Sequence, residues 1–197
     1  MAKIQKPVKK KPELLRGVAL VEAANAKRKD LTGMAAKQVA SMKFGTKPLS
    51  PALTRWLELD EDLFTLGEPQ SIVELVEAEL DGWAEAFTDL GKYLKEPCVL
   101  FEGWGADSRR FLYLGKTDAH GEYPVFTIDV DDTPFCCING PADVWLAQQV
   151  DFLAEEEYYG FVPEEYEPAR KEHARLSFGG NLAYLDGEFH KKLDPYA

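Results

Sequence analysis

The chain has 197 residues, 45% apolar and 29% charged, with a net charge of −11. That length supports one sizeable core, and the composition fits neither a membrane-embedded nor a disordered chain. No apolar run approaches the ~20 residues of a spanning helix. The basic opening MAKIQKPVKKKPELL lacks the apolar stretch of a secretory signal, so the expected compartment is the cytoplasm. Three cysteines without a C-x-x-C pair argue against a disulfide framework and against structural zinc. There is no Walker A loop, G-x-G-x-x-G, G-x-S-x-G or H-E-x-x-H.

In chain order, residues 1–12 read as a mobile basic arm, because Pro7 and Pro12 flank Lys9, Lys10 and Lys11. The arm either touches an anionic surface or folds back onto an acidic body, and the second reading is preferred. Helical spacing of Leu14, Leu15, Val18, Val21 and Ala24 predicts a helix from Glu13 to about Lys29. A second helix, Gly33 to Met42, is expected with Thr32 as N-cap and Gly45 as stop. Ser50 caps a third helix with Pro51 at its first position and Leu53, Trp56 and Leu57 as its stripe. A fourth runs from Ser71 to Phe87.

The period then changes. Cys98 to Trp104 and Arg110 to Leu114 read as a hairpin, followed by a turn at Asp118 to Gly121. Pro124 to Val130 alternates, with Val125, Thr127 and Asp129 on one face and Phe126, Ile128 and Val130 on the other. Phe135 to Ile138 is a short strand, and short connections predict an antiparallel meander. Helices return from Pro141 to about Tyr158 and from Pro163 to about Leu176, and the last twenty residues pack back on the body. The fold class is α+β: a central antiparallel sheet flanked by helices, in a single domain over 13–197.

Charge is unevenly spread. Residues 1–47 hold twelve Lys/Arg against three acids, whereas residues 117–169 hold thirteen acids and no Lys or Arg. Such a stretch repels nucleic acid and steers basic proteins toward it. Within it, Tyr158, Tyr159 and Tyr166 interleave with carboxylates in E-E-E-Y-Y-G-F-V-P-E-E-Y-E. Tyrosines bury area and carboxylates pair with Arg and Lys, which suits a contact surface; a solvated helix end is the alternative.

Candidate catalytic groups are weaker. His120, in D-A-H-G-E beside Asp118 and Glu122, reads as a solvated turn rather than a metal site, and His173 and His190 as exposed positions. Asp129-x-Asp131-Asp132 resembles the start of a cation loop, but the twelfth position is Gly140 where an EF-hand needs Glu. A turn with Asp side chains on local backbone is preferred there. Cys136 and Cys137 point to opposite faces of a strand with no base in evidence. Trp56, Trp83, Trp104 and Trp145 are read mostly as core, with Trp104 in E-G-W-G at a hairpin turn either an exposed anchor or a cover for the sheet edge.

The run F-G-T-K-P-L-S-P-A-L-T-R-W-L-E-L-D, Phe44 to Asp60, resembles the opening of SMI1/KNR4 (SUKH superfamily) domains. The run L-Y-L-G-K-T-D-A-H-G-E-Y-P-V-F-T-I-D-V-D-D-T-P-F, Leu112 to Phe135, resembles their central strands, and P-A-D-V-W-L-A the helix that follows. The resemblance spans about residues 35–155, with a C-terminal helical extension beyond it. It implies a binding protein without a shared catalytic site, and bacterial members are largely immunity proteins that neutralise toxins of interbacterial competition.

The expectation is therefore an immunity protein that occludes a basic cognate toxin through an acidic surface. It is expected to be no enzyme, to need no cofactor or metal, and to have no nucleic-acid or membrane partner. The residues assigned to the contact are Asp129, Asp131, Asp132, Glu155, Glu156, Glu157, Tyr158, Tyr159, Glu164 and Glu165. The alternatives are a regulatory adaptor without a toxin partner, and a metal-dependent enzyme using the Asp129–Asp132 turn.

Overall fold

A computed structural model describes residues 15–80, 87, 90–102, 108–130, 135–153 and 183–184. Helix α1 (Val18–Asn25) begins after Gly17, whose φ of 60° lies in the left-handed region that favours glycine. That backbone break shortens the helix relative to the sequence expectation and rephases its stripe. Leu20, Val21 and Ala24 are buried, and Val18, expected on the inner face, is exposed.

Helix α2 (Ala36–Val39) is a single turn, where the sequence suggested Gly33 to Met42. Thr32 does not cap it. The Thr32 carbonyl instead accepts from the Glu61 amide at 2.8 Å, and the Met34 amide donates to the Leu57 carbonyl at 2.8 Å. These residues thereby satisfy backbone groups at the end of the next long helix, which would otherwise lack partners. Gly33 permits the approach, because a Cβ there would lie 2.0 Å from the Glu58 carbonyl oxygen. Gly45 is not a helix stop: at φ 61° it turns a hairpin of β1 (Lys43–Phe44) and β2 (Lys47–Pro48).

Helix α3 (Pro51–Leu59) follows the sequence reading closely. The Ser50 hydroxyl accepts from the Leu53 amide at 3.4 Å, Pro51 opens the first turn, and Leu53, Trp56 and Leu57 are buried. After β3 (Thr65–Leu66), α4 (Ile72–Glu79) starts with a capping box. The Ser71 hydroxyl accepts from the Glu74 amide at 3.2 Å, and the Glu74 carboxylate from the Ser71 amide at 2.8 Å. Its expected extension to Phe87 is cut short, with Leu80 as the C-cap. Helix α5 (Leu90–Tyr93) leads into the sheet.

The remaining elements are β4 (Cys98–Glu102), β5 (Ser108–Tyr113), β6 (Pro124–Asp129), β7 (Phe135–Pro141), α6 (Ala142–Gln149) and β8 (Ala183–Tyr184). Strands β3 to β8 form an antiparallel meander in sequence order. The fold is α+β, as the sequence indicates. Strand β7 outruns its expected end at Ile138 because a bulge carries the pairing on: Val125 opposes Gly140, Phe126 opposes Ile138, and Asn139 is the extra residue. The Asn139 amide donates to the Thr127 hydroxyl at that point. Strand β8 joins the edge of β7, so this part of the C-terminal segment does return to the body.

Both faces of the sheet are buried, which the alternation of β6 encodes. Val99, Phe101, Leu112 and Val125 pack beneath α3 and α6. Leu100, Phe111, Phe126 and Ile128 pack against α4 and α5. Helix α6 is buried on every side, rather than along the partial stripe the sequence suggested, because α1 covers its outer surface through Leu20, Ala24, Val144 and Ala147. It also stops at Gln149 rather than near Tyr158, and Asp151 at φ 57° ends the turn that follows. Trp145 packs on Phe101 at 4.4 Å between ring centroids, and Phe64 meets Phe101 edge-on at 4.9 Å. Trp56 and Trp145 are thus core residues, while Trp83 and Trp104 lie outside the described residues. Among the described residues, no helix is long and apolar enough to cross a membrane.

Candidate functional site

The meander gives the sheet two ends of different character. At one end, β4 finishes at Glu102, β5 starts at Ser108, β6 finishes at Asp129 and β7 starts at Phe135. Asp129 pairs with Ser108 on one side and Phe135 on the other. Of the residues assigned to the acidic contact, Asp129 lies here. The other residues assigned to it, Asp131, Asp132, Glu155, Glu156, Glu157, Tyr158, Tyr159, Glu164 and Glu165, lie outside the described residues. Helix α6 leaves β7 without a loop and crosses the sheet by way of Trp145 on Phe101. Phe101 is next to the end of β4, so α6 heads toward the end that carries Asp129. Asp129 and the last turn of α6, both within the base-free stretch, are therefore directed to one end of the sheet. Arg109 stands at this end too, and its guanidinium is engaged by Glu79 at 3.1 Å.

At the opposite end, three acids of the same stretch are internal. Asp143, in the first turn of α6, and Glu122, just before β6, are fully buried. The Asp118 side chain is only 9% exposed. Arg16 forks onto Asp143, with Nε donating to Oδ2 at 2.7 Å and Nη2 to Oδ1 at 3.2 Å, and Nη2 also pairs with Asp118. The Gly17 amide donates to Asp143 Oδ2 at 2.5 Å. Asp118 Oδ1 accepts from the amides of His120 and Glu122, at 2.8 and 3.0 Å. The Ala52 amide, in the first turn of α3, donates to Glu122 Oε1 at 2.9 Å, and the Ser50 hydroxyl bonds the same carboxyl.

Four segments far apart in sequence thus meet at one charged junction. Burial pushes the Glu122 carboxyl up to about 7. Hydrogen bonds from Ser50 and Ala52 oppose the shift, and the charges of Asp143 and Asp118 add to it. Arg16 is held above its ordinary value: burial works against its charge, but Asp143 and Asp118 outweigh that cost.

The junction corrects one part of the sequence reading. Asp118, Glu122 and Asp143 belong to the thirteen acids of the base-free stretch but do not contribute to an open acidic surface. The sequence reading also passed over Arg16, which holds them. One signal was present: Asp143 interrupts an otherwise apolar A-D-V-W-L-A, and an acid there needs an internal partner. The reading of His120 as part of a solvated turn agrees with the structure, since His120 is exposed and its amide is bound by Asp118.

Cys98 and Cys136 are buried in the core beside α4 and α5, and burial pushes the Cys98 thiol up, away from reactive thiolate. Among the described residues, no three His, Cys, Asp or Glu side chains converge as a metal site.

No family model matches this chain, and no curated protein matches it. Among solved structures it is similar to an uncharacterized protein from Salmonella enterica subsp. enterica serovar typhimurium. The two are 18% identical, and the similarity covers 79% of this chain and 87% of that one at a TM-score of 0.41.

Proposed function

We propose that the protein is a cytoplasmic immunity protein of SMI1/KNR4 type that binds a basic toxin of interbacterial competition and blocks it by occlusion. The observation that carries this reading is the base-free stretch of residues 117–169, with thirteen acids and interleaved tyrosines. The fold supports it by directing Asp129 and the exit of α6 toward one end of the sheet, where such a surface would be presented. A carboxylate-rich face opposes the Arg and Lys of a basic active site and accelerates encounter through long-range attraction. The proposed contact residues are Asp129, Asp131, Asp132, Glu155, Glu156, Glu157, Tyr158, Tyr159, Glu164 and Glu165.

The test is capture of partners by the tagged protein from cells of its source at low and at high salt. The expected result is a small basic polypeptide that is lost as salt rises, is toxic when expressed alone and is harmless when co-expressed with this chain. Recovery of a host protein without toxicity would replace this reading with that of a regulatory adaptor.

A further inference from the structure

Residues 26–34 lie as a strap over the end of α3. Every residue from 26 to 38 is exposed or half-buried, although Asn25 before them and Val39 after them are buried. Two backbone bonds hold the strap, from the Met34 amide to the Leu57 carbonyl and from the Glu61 amide to the Thr32 carbonyl, both 2.8 Å. The third fastening is Arg28. Its guanidinium pairs with Asp60 at 2.6 Å, donates to Asn25 Oδ1 at 2.6 Å and stands 5.5 Å from the centroid of the Trp56 ring. Asn25 is fixed in turn by donating to the Val21 carbonyl at 2.9 Å. One side chain therefore ties the end of α1 to the end of α3.

The closed strap carries two costs. Asp30 holds a φ of 59°, in the left-handed region that a side chain disfavours. Trp56 is fully buried, and its Nε1–H has no acceptor among the described residues. Little apolar burial offsets these costs, because Leu31 and Met34, the large apolar side chains of the strap, are only half-buried.

The geometry points to a conformational device locked by one arginine: residues 26–34 lift off α3 as a unit while α3 stays folded, and Arg28 is the lock. A segment with so few buried groups opens at a lower free energy than the core beneath it. The buried Asn25 and Val39 bound the movement at its two ends. Opening breaks both backbone bonds together, frees Asp30 to leave its left-handed conformation, and uncovers the ring of Trp56 beside the Asp60 carboxylate. The inference is independent of the proposed partner.

Amide hydrogen exchange on the full chain tests it, under conditions where closing outpaces exchange. Met34 and Glu61 donate the two bonds that opening breaks, whereas the Leu57 amide lies within α3. The Met34 and Glu61 amides should share one protection factor, roughly tenfold or more below that of Leu57. Arg28→Gln should lower both on the order of 10- to 100-fold and leave Leu57 unchanged. The device is overturned if Met34 and Glu61 match Leu57, or if the two differ from each other. It is equally overturned if the variant lowers all three alike or leaves both strap amides unchanged. If Arg28→Gln does not fold, the comparison of the three amides in the unaltered chain decides alone.

Discussion

Arg16 and Asp143 stand 127 positions apart in the chain and meet through two side-on hydrogen bonds of 2.7 and 3.2 Å. The pair joins the entry of α1 to the first turn of α6, and Asp143 is fully buried there. A carboxylate in that position is tolerable only while its cation is present. Arg16→Ala leaves it uncompensated, and the expected loss is about 3–5 kcal/mol of folding stability. Urea denaturation at neutral pH reads it directly. A loss below about 1 kcal/mol would mean that water reaches Asp143 and that the pair is a surface contact in practice.

Glu122 gives stability a pH dependence of definite sign. Its folded pKa of about 7 lies above its ordinary value of 4.5. Its contribution is therefore fully present below about pH 4.5 and is lost as pH rises through about 7. The loss amounts to roughly 3 kcal/mol across that interval. Glu122→Gln keeps an oxygen for the Ala52 amide and carries no proton to lose. The stability difference between the variant and the unaltered chain should grow in the variant's favour from about pH 5 to about pH 8. A constant difference would place Glu122 in contact with solvent.

Gly33→Ala tests the packing that the sequence did not foresee. The added methyl would meet the Glu58 carbonyl at 2.0 Å, and the obstacle is backbone, which cannot rotate away. Restoring clearance moves the Thr32–Met34 segment off α3 and breaks the bonds from Met34 to Leu57 and from Glu61 to Thr32. The expected cost is about 1–3 kcal/mol, visible as a lower denaturation midpoint. An unchanged midpoint would show that the segment is not held against α3.

What was legible in the sequence is what local chemistry dictates. Ser50-Pro51 fixes the start of α3, the alternation from Val125 to Val130 fixes β6, and Asp118 to Gly121 fixes a turn; each follows from near neighbours. What was illegible depends on residues far apart. Gly33 reads as a helix start until the end of α3 claims its neighbours. Asp143 reads as surface charge until Arg16, 127 positions away, is brought beside it. Helix α6 looks half-exposed because its pattern cannot show that α1 will cover its outer side. The Asn139 bulge, which extends β7, is a property of the strand pair rather than of either strand.

Charge reversal at Glu155, Glu156 and Glu157 bears on the proposed interface. Leu153 is 2% exposed and packs in the cluster between α1 and α6, so the acidic run begins two residues beyond an anchored position. The triple change to Lys should therefore leave the denaturation midpoint near that of the unaltered chain. Affinity for the captured basic partner should fall on the order of 10- to 100-fold at low salt, mainly through slower association. The dependence of affinity on salt should flatten as well, because fewer opposite charges remain to be screened. Kinetic binding measurements at two ionic strengths separate the two effects. Unchanged association with an unchanged midpoint would remove these three residues from the interface and shift the contact toward the end of β6 at Asp129.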